Sequence, residues 1–127
     1  MEYKNKITSF TQLTTWQDGH MLVLAVYKQI ALFPKHEQYA LSDQMRRCVV
    51  SITSNIAEGF SRNTKKEKIQ FYYMAKGSLT ELQNQLLIAR DVGYLTKEDF
   101  SKLAQQTMRV QRLLIGLIKS AKTKGTK

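Results

Sequence analysis

Cysteine, proline, glycine and histidine are all scarce in this chain of 127 residues, with one, one, six and two copies respectively. A single cysteine, Cys48, cannot form an internal disulfide, and its setting among Val49, Val50 and Ile52 predicts a buried structural thiol rather than a nucleophile. That pattern suits a reducing cytoplasm, the expected location. One proline and few glycines leave too little turn punctuation for an all-β chain. The two histidines, His20 and His36, have no second His or Cys cluster with which to complete a tetrahedral zinc site, and they read as surface or packing residues. A carboxylate di-iron site needs Glu-x-x-His pairs, yet Glu58, Glu67 and Glu81 are followed three places on by Ser61, Gln70 and Asn84.

The same shortage bears on catalysis. No histidine follows any arginine, which argues against an α-helical ribonuclease with Arg a few residues before His, and no histidine after residue 36 could serve a serine as base. Glycine-rich phosphate loops are missing too. The expectation is a protein that is not an enzyme and carries no metal or cofactor. Long apolar runs are also lacking. The longest, Met21 to Tyr27, falls far short of the roughly 20 residues that span a bilayer, and the N-terminus has no apolar signal region. Neither membrane insertion nor export is expected.

What is present is helical periodicity. Four segments, about 15–33, 42–59, 64–92 and 96–122, carry apolar residues at steps of three and four. The first can begin at Thr15 with Asp18 as a weak cap partner, takes Trp16, Val23, Tyr27 and Ile30 as its inner stripe, and stops before Pro34. The second carries Leu41, Met45, Cys48, Ile52 and Ile56 and is expected to end at Gly59 in a left-handed cap. The third opens on the capping box Thr64 to Glu67, closes at Gly93, and carries the heptad seam Tyr72, Ala75, Leu79, Leu82, Leu86 and Ala89. The fourth starts at Thr96 with Asp99, and its seam is Phe100, Leu103, Thr107, Val110, Leu114, Leu117 and Ala121. Short connections force consecutive helices to run antiparallel, so the predicted fold is all-α: an antiparallel up-down-up-down four-helix bundle forming one domain over 1–127, with a short N-terminal extension and a basic tail.

Acid is the last scarcity: 10 Asp and Glu oppose 20 Lys and Arg, a net charge of +10. After Asp99 there is no further acid, and seven bases follow. Such an excess points to nucleic acid or another polyanion. Lys102, Arg109, Arg112 and Lys119 share one arc of the fourth helix, away from its seam, and Arg62, Lys65, Lys66 and Lys68 cluster where the third helix begins and its dipole favours anions. Neither cluster has interleaved aromatics, so phosphate and shape contacts with RNA or DNA, without strong sequence preference, are the expected mode. An acidic protein partner is the alternative.

Two further groupings stand out. Ile69, Tyr73 and Leu87 on the third helix, with Met108 and Ile115 on the fourth, lie outside the seams and predict an interface between copies of the chain. Arg47, Ser51, Asn55 and Glu58 align on one face of the second helix as a polar face that either packs or binds a ligand. Gly77 and Ser78 on the third helix would permit close helix approach there.

Several motifs together are similar to a known family: Phe10 with Trp16-Gln17, Phe33-Pro34, Gln44-Met45-Arg46-Arg47, the run from Ser51 to Gly59, Gly77 to Leu82, and Gly93-Tyr94-Leu95. Across residues 10 to 120 the chain resembles the bacterial four-helix bundle proteins encoded within 23S ribosomal RNA intervening sequences. Thr53 stands where that family commonly has proline, which implies a straighter second helix. Relatives include the accessory protein of diversity-generating retroelements. The resemblance implies a homopentameric barrel with a basic surface able to bind nucleic acid and a reverse transcriptase.

Overall fold

A computed structural model of the chain describes residues 6–123. Within them lie four α-helices and no strand: α1 (Thr14–Ile30), α2 (Leu41–Ser61), α3 (Lys65–Asp91) and α4 (Lys97–Thr123). Short 3-10 turns at Phe10–Gln12 and Lys35–Glu37 precede α1 and α2. The end of the expected basic tail, with Lys124 and Lys127, lies outside the described residues. No helix among them is long and apolar enough to cross a membrane.

Each helix packs on two others: α1 and α3 both touch α2 and α4, and the α2–α3 contact is the most extensive. In three of the four packed pairs, the contacts couple rising numbers on one helix to falling numbers on the other. Cys48 meets Ser78 while Gly59 meets Tyr72, and Gln83 reaches Thr107 while Tyr73 reaches Lys122. Thr15 likewise bonds Leu113, and Asp18 pairs with Arg109.

The core between the helices is mainly apolar. Leu22 and Val26 of α1, Met45, Val49, Ile52 and Ile56 of α2, and Leu82 of α3 are fully buried, as is Leu114 of α4. Complete burial of side chains of this kind contributes about 1.5–3 kcal/mol each before conformational entropy is set against it. The α3 seam is buried in full, as its spacing predicts. On α4 the buried line is Leu103, Thr107, Val110, Leu114 and Ile118, with Phe100, Leu117 and Ala121 half-covered beside it.

Local capping chemistry sets several of the boundaries. Thr64 Oγ1 accepts the Glu67 amide at 3.1 Å and Thr96 Oγ1 accepts the Asp99 amide at 3.0 Å. α3 ends at Asp91 and is closed by Gly93, whose φ of +89° suits only glycine, with the Tyr94 amide donating back to the Ala89 carbonyl at 2.8 Å in a Schellman closure.

Four local expectations are corrected. α1 begins at Thr14 and ends at Ile30, short of residue 33; the capping box of Ser9 and Gln12 closes the turn before the helix, while Thr15 turns inward and donates to the Leu113 carbonyl at 3.4 Å. Its inner line is Thr15, Gly19, Leu22, Val26 and Ile30; Trp16 and Val23 are only half-buried, and Tyr27 is 42% exposed. The helix is apolar on more than one face, and Gly19 decides between them. A Cβ there would lie 3.0 Å from Thr53 Cγ2, so this side can approach α2 closely. Gly59 does not cap α2, which continues to Ser61 with ordinary φ; a Cβ on it would sit 2.7 Å from Tyr72 Cε1, so the glycine is needed for contact rather than for a turn. Gly77, expected at a close approach, has nothing within 4 Å of its would-be Cβ, and Ser78 makes the contact instead.

Candidate nucleic-acid interface

Positive charge is useful to a polyanion only where it is free, and the helix contacts divide the basic residues accordingly. At the start of α3, Arg62 is turned inward: it pairs with Glu58 at 2.7 Å and its guanidinium lies 4.6 Å from the Phe71 ring centre. Lys68 donates to the Phe60 carbonyl at 2.6 Å and closes the end of α2. Burial lowers its pKa from the ordinary lysine value of 10.5. Of the four residues in this cluster, only Lys65 and Lys66 lack such engagement among the described residues.

The α4 stripe divides as well. Arg109 is held by Asp18 of α1, so much of its charge is answered inside the protein. Lys102, Arg112 and Lys119 are exposed and form no ion pair among the described residues. Lys102, Arg109 and Arg112 border an open depression of about 750 Å³ on the outer face of α4.

A stronger site lies where α3 and α4 meet. Tyr73 and Lys76 of α3 face Ile115, Ile118, Lys119 and Lys122 of α4 across a groove of about 450 Å³. Lys122 Nζ donates to Tyr73 Oη at 2.9 Å and sits 5.3 Å from the ring centre. Tyr73 is 45% exposed and Ile115 43%. Three ammonium groups thus surround an accessible aromatic ring and an apolar patch, the combination missing from either basic cluster in the sequence. Lys76 and Lys122 were not among the expected binding residues. The signal for Lys76 was there, since it follows Tyr73 by three places on one helix face.

Four of the five residues expected at a subunit interface fall into two sets. Tyr73 and Ile115 share the basic groove with Lys119, and Ile69 is half-buried. Leu87 and Met108, 43% and 54% exposed, line a separate apolar cleft of about 180 Å³ with Phe100 and Ala104. Between the two, Gln83 Nε2 donates to Thr107 Oγ1 at 3.2 Å and to Gln111 Oε1 at 3.1 Å, which ties α3 to α4. Periodicity missed a further exposed set on α1: Met21, Leu24 and Tyr27.

Within the polar face of α2, Ser51 and Asn55 are half-buried beside α3, while Arg47 and Glu58 are exposed. Ser51 Oγ and Ser78 Oγ lie 2.9 Å apart across α2 and α3, and Asn55 Nδ2 donates to the Ser51 carbonyl at 2.9 Å. Arg47 pairs with Asp43 at 3.0 Å and Glu58 with Arg62. Cys48 Sγ donates to the Ser78 carbonyl at 3.0 Å; burial, then the nearby Glu81 carboxylate, pushes its pKa up to about 12, which keeps the thiol protonated at neutral pH. Among the described residues no three His, Cys, Asp or Glu side chains are grouped to hold a metal ion.

A family profile for the 23S rRNA-intervening sequence protein matches residues 11–116. The chain belongs to this family. The match covers all of α1, α2 and α3 and α4 as far as Gly116, so that of the basic groove it takes in Tyr73, Lys76 and Ile115 and stops short of Ile118, Lys119 and Lys122. A crystal structure of a protein with unknown function from the S23 ribosomal protein family of Bacteroides thetaiotaomicron is similar, with a TM-score of 0.77 and 19% sequence identity over 83% of this chain and 95% of that one. At that identity the likeness shows a shared fold. No curated protein matches the chain.

Proposed function

We propose that this intervening-sequence family member is a non-catalytic nucleic-acid-binding protein that works as an assembly of its own copies. The observation that carries the reading is the groove in which Lys76, Lys119 and Lys122 surround Tyr73, on a chain of net charge +10. Lysines that neutralise phosphates release condensed counterions, and an open aromatic ring offers a face to an unpaired base, so neither contact demands a particular sequence. Lys65, Lys66, Lys102 and Arg112 extend the positive surface. Arg62, Lys68 and Arg109 serve mainly to join elements of the fold.

The opposed numbering along neighbouring helices supports an antiparallel up-down-up-down bundle built as one domain. Leu87 and Met108 are the residues we assign to contact between copies, because their cleft has no charge at its lining and lies apart from the lysines. A closed homopentamer, kinship with the accessory protein of diversity-generating retroelements, and a reverse transcriptase as protein partner follow the resemblance of the motifs. A cytoplasmic setting accords with a lone, buried thiol.

The test is to titrate single-stranded RNA and duplex DNA into the protein at two salt concentrations, alongside a variant in which Lys76, Lys119 and Lys122 are all glutamine. Affinity should fall steeply with salt, and the variant's salt slope should drop by about one unit for each phosphate it no longer neutralises. An unchanged slope rejects the groove. Tight, salt-dependent binding to an acidic protein, with none to nucleic acid, would favour a protein-interaction module instead.

A further inference from the structure

A second cleft, at the Gly59 end of the helices, lies apart from the basic groove. It encloses about 420 Å³ between Leu13, Phe60, Tyr72 and Leu117, with Lys6 and Lys68 at its border. Small-molecule sites are usually about 300–1,000 Å³, mostly apolar, with a few convergent polar groups. The apolar lining here comes from four separate parts of the chain: the segment before α1, the end of α2, the start of α3 and the last turns of α4.

Two features set the cleft apart from a packing gap. Tyr72 is only 3% exposed, its ring held against Gly59, while its hydroxyl is not among the fully buried atoms and has no hydrogen-bond partner among the described residues, so it is free to meet a ligand; burial alone raises its pKa. Lys68 is the second. Its ammonium is pinned by the Phe60 carbonyl at 2.6 Å and the Gly59 carbonyl at 3.5 Å, which engages two of three protons and leaves one donor unused. Lys6 adds a second positive charge, and no carboxylate lines the cleft.

We propose that this cleft binds a small amphiphilic anion, a carboxylate carried on an apolar acyl or aromatic body. The carboxylate lies between Lys68 and Lys6, the body covers Leu13, Phe60 and Leu117, and the Tyr72 hydroxyl supplies a directed hydrogen bond. The site is independent of the basic groove on α3 and α4 and would stand if that groove bound no nucleic acid.

Anilinonaphthalene sulfonate, an aromatic anion of this class, is the probe, with decanoate and the uncharged decanol as competitors for its fluorescence on the full chain. Decanoate should displace the dye at least about tenfold better than decanol, because a hydrogen bond to a charged group outweighs a neutral one by that margin. Ser120→Phe, which places a ring over the cleft mouth from an exposed position, should abolish binding with helicity and melting unchanged. Tyr72→Phe should weaken binding without unfolding the protein. Equal displacement by decanol, dye binding that survives Ser120→Phe, or no displacement by millimolar decanoate would each overturn the proposal.

Discussion

Replacing Gly59 with alanine sets helix propensity against packing, and the interatomic distances decide which wins. Alanine in place of glycine inside a helix stabilises by about 0.5–1 kcal/mol, and less near the end of a helix such as α2. Against this, the new methyl would lie 2.7 Å and 2.9 Å from Tyr72 Cε1 and Cδ1 and 3.0 Å from Phe71 Cβ. Tyr72 cannot swing away, being 3% exposed, and Phe71 Cβ moves only with the backbone of α3. Overpacking of this kind costs about 1–3 kcal/mol. The net is a loss of about 1–2 kcal/mol, or a midpoint lower by roughly 3–10 °C for a chain of this size. Gly77→Ala is the control: nothing lies within 4 Å of its would-be Cβ, so it should gain about 0.5–1 kcal/mol. Thermal unfolding followed by far-UV circular dichroism, at matched protein concentration, measures both. A Gly59→Ala midpoint at or above that of the wild type would refute the close approach of α2 and α3 at this glycine.

Other outcomes follow from the same contacts. Arg109→Gln should weaken nucleic-acid binding less than Lys119→Gln in parallel titrations, because Arg109 is already answered by Asp18. Leu87→Glu combined with Met108→Glu should lower the mass measured by light scattering while helicity is kept, since both side chains are already in contact with solvent in a single copy. Tyr94 Oη donates to Glu37 at 2.6 Å, and this bond, followed by the Leu41 amide, holds the Glu37 pKa below 4.5. A depressed carboxylate pKa stabilises the fold above its unfolded value and loses that contribution as pH falls through the folded one. The melting difference between wild type and Tyr94→Phe should therefore be present at neutral pH and shrink well below 4.5. Cys48 should react with thiol reagents far more slowly in the native protein than in denaturant, as its pKa of about 12 leaves almost no thiolate.

Four helices, their approximate ends and the α3 seam were legible in the amino-acid order because each depends on neighbours a few residues away. Thr64 and Thr96 cap their own first turns, Gly93 supplies the one positive φ among the described residues, and Tyr72 to Ala89 recur at heptad spacing. The net charge was equally plain. Tertiary structure alone decided the rest, since those features depend on partners far apart in sequence. Trp16, Val23 and Tyr27 look as apolar as Leu22 and Val26, and only the fit of Gly19 against Thr53 turns the second set inward. The charge on Arg109 is answered from 91 residues away. Tyr73 has Lys76 one turn along its own helix, but Lys119 and Lys122, 46 and 49 positions later in the chain, reach it only when α4 packs on α3. Periodicity shows which face of a helix is apolar, but the helix packed against it determines which face is buried and which lysines stay free to meet a phosphate.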